Sequence, residues 1–147
     1  MQISWQAIEE RIRSDFPDVD SISPDELAAW LADESRTDPL IIDARAEEEF
    51  AVSHLKNAQH ATTVDKVVEI AGERSCVVYC SVGIRSAKLV RLLSQAGVKN
   101  ACNLTGSIFR WTNEGRQVFR GNQSVETVHP FDSKWGQLLN RDHHGYL

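Results

Sequence analysis

The chain has 147 residues, 41% of them hydrophobic and 25% charged, with a formal net charge of −5. That length fits one domain able to bury roughly two-thirds of its unfolded surface without disulfide or metal staples. The acidic balance excludes a general nucleic-acid binder, which carries excess positive charge, and the lack of a run of about 18 apolar residues excludes a membrane-spanning helix.

Met1-Gln-Ile-Ser-Trp5-Gln lacks the basic and apolar regions of a signal peptide. Three cysteines, an odd number, make no disulfide framework. The expected compartment is therefore reducing, the cytoplasm, with the cysteines as thiols. Ser4 to Phe16 predicts a helix capped by Ser4, with Trp5, Ile8 and Ile12 at helical spacing and Pro17 as its stop. Val19 to Ile22 is extended. Ser23-Pro24-Asp25-Glu26 is a helix start, with a capping serine, proline in the first turn and acids beside the helix dipole.

Leu40-Ile-Ile42 is a short apolar run of the kind buried on both faces, and it ends at Asp43-Ala-Arg45. Glu47, Glu48, Glu49 and Phe50 predict a short acidic helix with the glutamates on a solvated face. Ser53 to Ala58 is a turn. Thr63 to Gly72 predicts a helix with Val64, Val67, Val68 and Ala71 inward. Cys76 to Tyr79 is the next buried strand. A helix from about Arg85 to Ala96 buries Ala87, Leu89, Val90 and Leu93 and stops at Gly97. Val98 to Leu104 is a further strand, and Thr105-Gly-Ser107 leads into a short helix ending near Gly115. Apolar strands alternating with helices predict an α/β domain whose mostly parallel sheet is covered on both faces. The expected organisation is an N-terminal helical segment over 1–18, the α/β domain over 19–116, and a C-terminal extension over 117–147 folded back on it. The scattered apolar residues of that extension, Trp135 among them, argue against a disordered tail.

Ligands of such sheets bind at the carboxyl ends of strands, and Cys80 stands at such an end. Four residues, with Gly83 among them, separate it from Arg85. A free thiol, with an ordinary pKa of about 8.5, is mostly protonated at neutral pH. Here the N-terminus of the following helix and the charge of Arg85 favour a thiolate. Gly83 lets successive backbone N–H groups converge. Ser86 caps the helix or donates to the sulfur. Cys80 is the candidate nucleophile. Ser81, Val82, Gly83, Ile84 and Arg85 are the candidate anion cradle, supported by Ser86. No base lies nearby in sequence, so loop electrostatics carry the expected mechanism.

Cys80-Ser-Val-Gly83-Ile-Arg85-Ser86 resembles the active-site loop of single-domain rhodaneses, which are sulfurtransferases. Ile41-Ile-Asp43-Ala-Arg45 with Glu48-Glu-Phe50 and His54-Leu-Lys-Asn-Ala58 resembles a segment near the start of that domain. Gly106-Ser-Ile108-Phe-Arg-Trp111 is similar to the Gly-Gly-Ile-x-x-Trp element near its end. The resemblance implies a three-layer rhodanese-like fold, a central mostly parallel sheet flanked by helices. It also implies transfer of a sulfane sulfur from a small anionic donor such as thiosulfate to cyanide or a cellular thiol, through a Cys80 persulfide and with no cofactor. Ser53, Asn57 and Ser107 stand where the family often has glycine; Asn57 tolerates positive φ, and none of the three is expected to touch the reactive loop. Cdc25-type phosphatases have one more residue in the loop, so the spacing here favours sulfur over phosphate or arsenate. A non-turnover rhodanese-like binding or redox-regulatory module is the other alternative.

Cys76, about 13 Å along the strand from Cys80, is expected in the core. Cys102 is expected to be structural, with a resolving role open only if its strand adjoins that of Cys80. Arg45 is expected to pair with Glu48 or Glu49, Asp43 to bind turn amides, and His54 to be a hydrogen-bonded turn residue. The remaining histidines show no metal-ligand spacing. Arg110 is expected to be exposed, and the chain to be a monomer or weak homodimer without nucleic-acid or membrane partners.

Overall fold

A computed structural model describes residues 3–147; Met1 and Gln2, which begin both the expected N-terminal segment and the signal-peptide reading, lie outside the described residues. Helix α1 spans Trp5–Asp15, and Ser4 caps it by accepting from the Ala7 N–H at 3.1 Å. Strand β1, Ser21–Ile22, leads into α2, Pro24–Ala32. A reciprocal capping box between Ser23 and Glu26 starts α2, a motif whose cap contributes about 1 kcal/mol. Strand β2, Leu40–Asp43, precedes α3, Glu47–Val52; β3 is Gln59–His60 and α4 is Val64–Ala71. Strand β4, Cys76–Tyr79, runs into α5, Ile84–Gln95, and β5, Ala101–Leu104, into α6, Ser107–Asn113. The C-terminal segment forms a hairpin, β6 Val118–Arg120 with β7 Gln123–Val125, and two 3₁₀ turns at Trp135–Leu138 and Arg141–His143.

The first five strands form one parallel sheet in the order β1-β5-β4-β2-β3. The alternation of side chains along each strand divides the core in two. Leu40, Ile42, Cys76, Val78 and Ala101 face one side and pack on Val67 and Ala71 of α4 and Leu89, Val90 and Leu93 of α5. Ile41, Val77, Tyr79 and Leu104 face the other side, against Leu27 of α2 and Ile108, Phe109 and Trp111 of α6. Val118, Val128, Leu138 and Leu139 of the C-terminal segment are buried in this second core. The segment is therefore packed on the sheet's own core, since four apolar side chains removed from water outweigh its polar content.

Two expectations about faces change. Val68 is 45% exposed, on the outer side of α4. Arg110 is only partly exposed: it donates to Glu9 at 2.7 Å and lies over the Trp5 ring, tying α6 to α1. Cys76 is buried as expected, and burial pushes its thiol pKa up. No helix among the described residues is long and apolar enough to cross a membrane.

Candidate active site

Residue pairing across the sheet aligns the carboxyl ends of β2 and β4, Asp43 opposite Tyr79, with β5 beside β4. Cys80 follows directly, buried at the floor of a small cavity. Its Sγ accepts from the Gly83 N–H at 3.2 Å, the Ser86 N–H at 3.4 Å and the Ser86 hydroxyl at 3.3 Å. The N–H groups of the first turn of α5 have no intrahelical partner, so they are free to face the sulfur. Gly83 makes this geometry possible. Its φ is +112°, and a Cβ there would stand 3.3 Å from Ile12 Cδ1 and 3.5 Å from Asn103 Nδ2.

The loop is held from behind as well. Asn103 Nδ2 donates to the Gly83 carbonyl at 3.0 Å. The Ile108 and Phe109 N–H groups at the start of α6 donate to the Cys80 and Ser81 carbonyls. Ser107 accepts from the Cys80 N–H at 3.1 Å and donates to the Leu104 carbonyl at 3.0 Å. Contrary to expectation, Ser107 touches the reactive loop directly. Its φ of +49° keeps the glycine-like turn, and its hydroxyl adds a bond that glycine cannot make.

Arg85, expected as a fixed charge near the sulfur, commits its donors to other side chains. It forms a two-pronged ion pair with Glu49, both contacts 2.9 Å, and also donates to Ser81 Oγ at 2.8 Å. Glu49 is buried, not part of a solvated glutamate face as expected. Helical rotation turns it inward with Val52 while Glu47 and Glu48 stay out. Burial works to raise the Glu49 pKa, but the hydrogen bonds and charge of Arg85 and the Ala46 N–H hold it below its ordinary value of 4.5. Burial works to lower the Arg85 pKa, yet the bonds to Glu49 and the fields of Cys80 and Glu49 raise it. Arg85 thus reaches Cys80 by its field. Ser81 bridges the pair, donating to Glu49 Oε1 at 3.2 Å.

Val82 and Ile84 line the cavity above Cys80, joined by Arg11 of α1 and by Phe131 and Trp135 of the C-terminal segment. Sequence reasoning missed Glu49, Arg11, Phe131 and Trp135. Glu49 alone left a signal, its position three residues before Val52 on one helical face. Cys102 lies on β5 opposite Val77. That is three residues short of Cys80 along the neighbouring strand, roughly 10 Å, beyond disulfide reach. Burial and the charge of Asp20 push its thiol pKa up to about 11, which removes its nucleophilic form at neutral pH.

Beside the loop lies a second ionic group. Arg45 is fully buried and pairs with Asp43 at 2.7 Å, in place of the glutamate partner expected for it. The Tyr79 hydroxyl donates to Asp43 at 2.7 Å and accepts from the Leu55 N–H. Asp43 also accepts the Arg45 N–H, the turn amide expected for it. His54 is the hydrogen-bonded turn residue expected: it bonds the Leu55 carbonyl and the Gly121 N–H, and it stacks on Phe50.

A family model described as Rhodanese-like domain matches residues 23–114. Among curated proteins, a tRNA uridine(34) hydroxylase of Yersinia enterocolitica is 26% identical over 151 residues, covering 92% of this chain and 43% of that protein. The probable adenylyltransferase/sulfurtransferase MoeZ of Mycobacterium tuberculosis is 29% identical over 99 residues, covering 64% of this chain and 25% of that protein. The chain spans less than half the length of the curated relatives it matches. Among solved structures, a thiosulfate sulfurtransferase from Pseudomonas aeruginosa superposes with a TM-score of 0.68 at 22% identity, covering 91% of this chain and 26% of that one. A rhodanese-related protein from Thermoplasma volcanium gives 0.58 at 25% identity, covering 69% of this chain and 98% of that one.

Proposed function

The chain belongs to the rhodanese-like domain family, and on that premise we propose that it is a sulfurtransferase working through a persulfide on Cys80. The observation that supports this most is the sulfur itself, held at the end of β4 by the Gly83 and Ser86 N–H groups and the Ser86 hydroxyl. Donors fixed before the reaction around a developing anion stabilise it without reorganisation. The Cys80 thiolate attacks the outer sulfur of thiosulfate. The S–S bond of the donor breaks, sulfite leaves with the electron pair, and Cys80 carries one added sulfur. Cyanide or a thiolate then attacks that sulfur, forms thiocyanate or a new persulfide, and returns the thiolate of Cys80. Donor and acceptor supply every atom and electron, so the scheme needs no metal or organic cofactor. It suits a reducing compartment, where Cys80 stays a thiol.

Ser81, Val82 and Ile84 border the sulfur in this scheme, Gly83 and Ser86 bind it, and Arg85 contributes field. The neutralising contact of Glu49 on Arg85 fits a small sulfur cargo better than a phosphoryl group, which calls for a free guanidinium fork. The tRNA chemistry of the longer relatives stays with those proteins.

Incubation with thiosulfate is expected to add one sulfur atom to the intact mass, and cyanide to remove it. Cys80→Ser is expected to abolish both loading and thiosulfate:cyanide turnover. Full turnover by that variant overturns the assignment. Hydrolysis of an aryl phosphate without sulfur loading would support the phosphatase alternative. Absence of loading, with loop-dependent capture of a partner, would support a binding module.

A further inference from the structure

A cavity of about 550 Å³ lies between α1 and the β1–β5 edge of the sheet, inside the range of small-molecule sites, about 300–1,000 Å³. It is separate from the cavity above Cys80 and stands behind the reactive loop, with Val82 bordering both. The α1 side of its wall is Trp5, Ile8, Ile12 and the capping Phe16. These residues are three or four apart, so they share one face along a helix about 16 Å long. Arg110 covers the Trp5 ring and Arg91 the Phe16 ring, each 4.6 Å from the centroid, and both rings still border the cavity. A flat apolar body fits such a wall.

Two polar groups in the wall are uncommitted. Asn103 is 1% exposed. Its Nδ2 is spent on the Gly83 carbonyl at 3.0 Å, while its Oδ1 is buried without a hydrogen-bond partner among the described residues. Buried amide oxygens are normally satisfied, because an acceptor left unpaired is costly. A ligand N–H in the cavity satisfies this one. Ser21 is the register partner of Asn103 on β1, so the two side chains stand on the same face of the sheet.

Arg13 is the second such group. It is exposed at the mouth and forms no ion pair among the described residues. The carboxylate of Glu9, also in the wall, is already held by Arg110 at 2.7 Å. The cavity therefore offers one buried acceptor and one open cation.

We propose that this cavity is a second ligand site, which takes a planar aromatic N–H heterocycle bearing a carboxylate. The N–H donates to Asn103 Oδ1, the ring lies against Ile8, Ile12 and Val82, and the carboxylate meets Arg13. No covalent bond forms or breaks. The site goes beyond the sulfurtransferase reading and does not depend on it. It reaches the reactive loop by contact: Asn103 holds the Gly83 carbonyl, and the Gly83 N–H holds Cys80 Sγ. A ligand on Asn103 is thus felt at Gly83.

The test uses indole-3-acetate as the probe, titrated into the full chain and followed by calorimetry and by amide NMR. Saturable one-to-one binding is expected, with the Asn103 side-chain amide and the Gly83 N–H among the signals that move most. Benzothiophene-3-acetate has nearly the same shape but no N–H, and is expected to bind about tenfold more weakly because it leaves the acceptor unpaired. Arg13→Gln is expected to weaken indole-3-acetate about threefold, the size of an exposed ion pair, and to leave the binding of uncharged indole unchanged. Ser21→Trp, which places a ring beside Asn103, is expected to abolish binding. Arg13→Gln lies at an exposed position and keeps the test decisive should Ser21→Trp fail to fold. Binding that never saturates, shifts confined to residues away from Asn103 and Gly83, or equal affinity for the benzothiophene overturns the proposal. Thiosulfate loading of Cys80 bears on the sulfurtransferase reading alone, so the two can fail separately.

Discussion

Two acid–arginine pairs stand at the same end of the sheet and have different fates. Asp43 and Arg45 are two residues apart, with both side chains at 0% exposure. Glu49 and Arg85 are 36 residues apart; the carboxylate is 2% exposed and the arginine 36%. The first pair is sealed. Arg45 donates to Asp43 and the Ser53 carbonyl, and its Nη1 has no partner among the described residues. Tyr79 closes the far side, its hydroxyl pKa raised by burial and then by Asp43. The second pair is open, with one face of the guanidinium on Phe131 and its field on Cys80. Identical chemistry becomes a structural rivet where no solvent enters, and part of the candidate site's wall where a cavity meets it.

The largest test of this contrast breaks the rivet. Asp43→Ala leaves a buried arginine without its counter-charge, and unfolding in urea should show a loss of about 3–5 kcal/mol. The paired exchange Asp43→Leu with Arg45→Met should recover much of that loss, because buried ion pairs are often replaceable by apolar residues. Activity should follow the folded fraction in both variants.

A change in the open pair that keeps both charges should respond in rate rather than in fold. Arg85→Lys keeps a charge but loses the planar two-pronged contact. The rate of thiosulfate loading onto Cys80 should fall about tenfold, equivalent to about 1.4 kcal/mol, with the urea midpoint shifting little. An unchanged rate would make Arg85 a second rivet.

Acid should act on the open pair before it acts on the core. The folded state holds Glu49 ionised below its ordinary pKa of 4.5. Between the depressed value and 4.5 the unfolded state binds more protons, so stability rises with pH through that window. The contribution is fully present above 4.5 and is lost as pH falls through the folded pKa. Glu49→Gln should be less stable than wild type at neutral pH, and the gap should shrink on acidification. A gap constant from neutral pH down to pH 3 would remove the ion pair from the account.

The smallest effect belongs to Ser107. Ser107→Gly relieves a positive φ and loses the hydroxyl bond to the Cys80 N–H. Each change is worth about 1 kcal/mol and they oppose, so Tm should move by only a few degrees. Sulfur loading should slow severalfold if the hydroxyl positions Cys80.

Most of the architecture was legible because local rules agreed with tertiary ones. Ser4 and Ser23 mark helix starts by their own side chains, and Leu40-Ile-Ile42 and Cys76 to Tyr79 are apolar at every position because both sheet faces are covered. Val68 was misplaced because a boundary valine satisfies the helical period without being buried.

By itself, the sequence determined the order of strands and helices, the position of Cys80 after a buried strand, and the glycine that turns the loop. These depend on neighbours a few residues away, which spacing expresses directly. Only the tertiary structure decided which charges meet: Glu49 with Arg85 across 36 residues, Ser107 with Cys80 across 27, and Arg11, Phe131 and Trp135 around one cavity from opposite ends of the chain. Hydrogen bonds and ion pairs act over a few ångströms of space, and a linear pattern carries no measure of that distance until the sheet has brought its strand ends together.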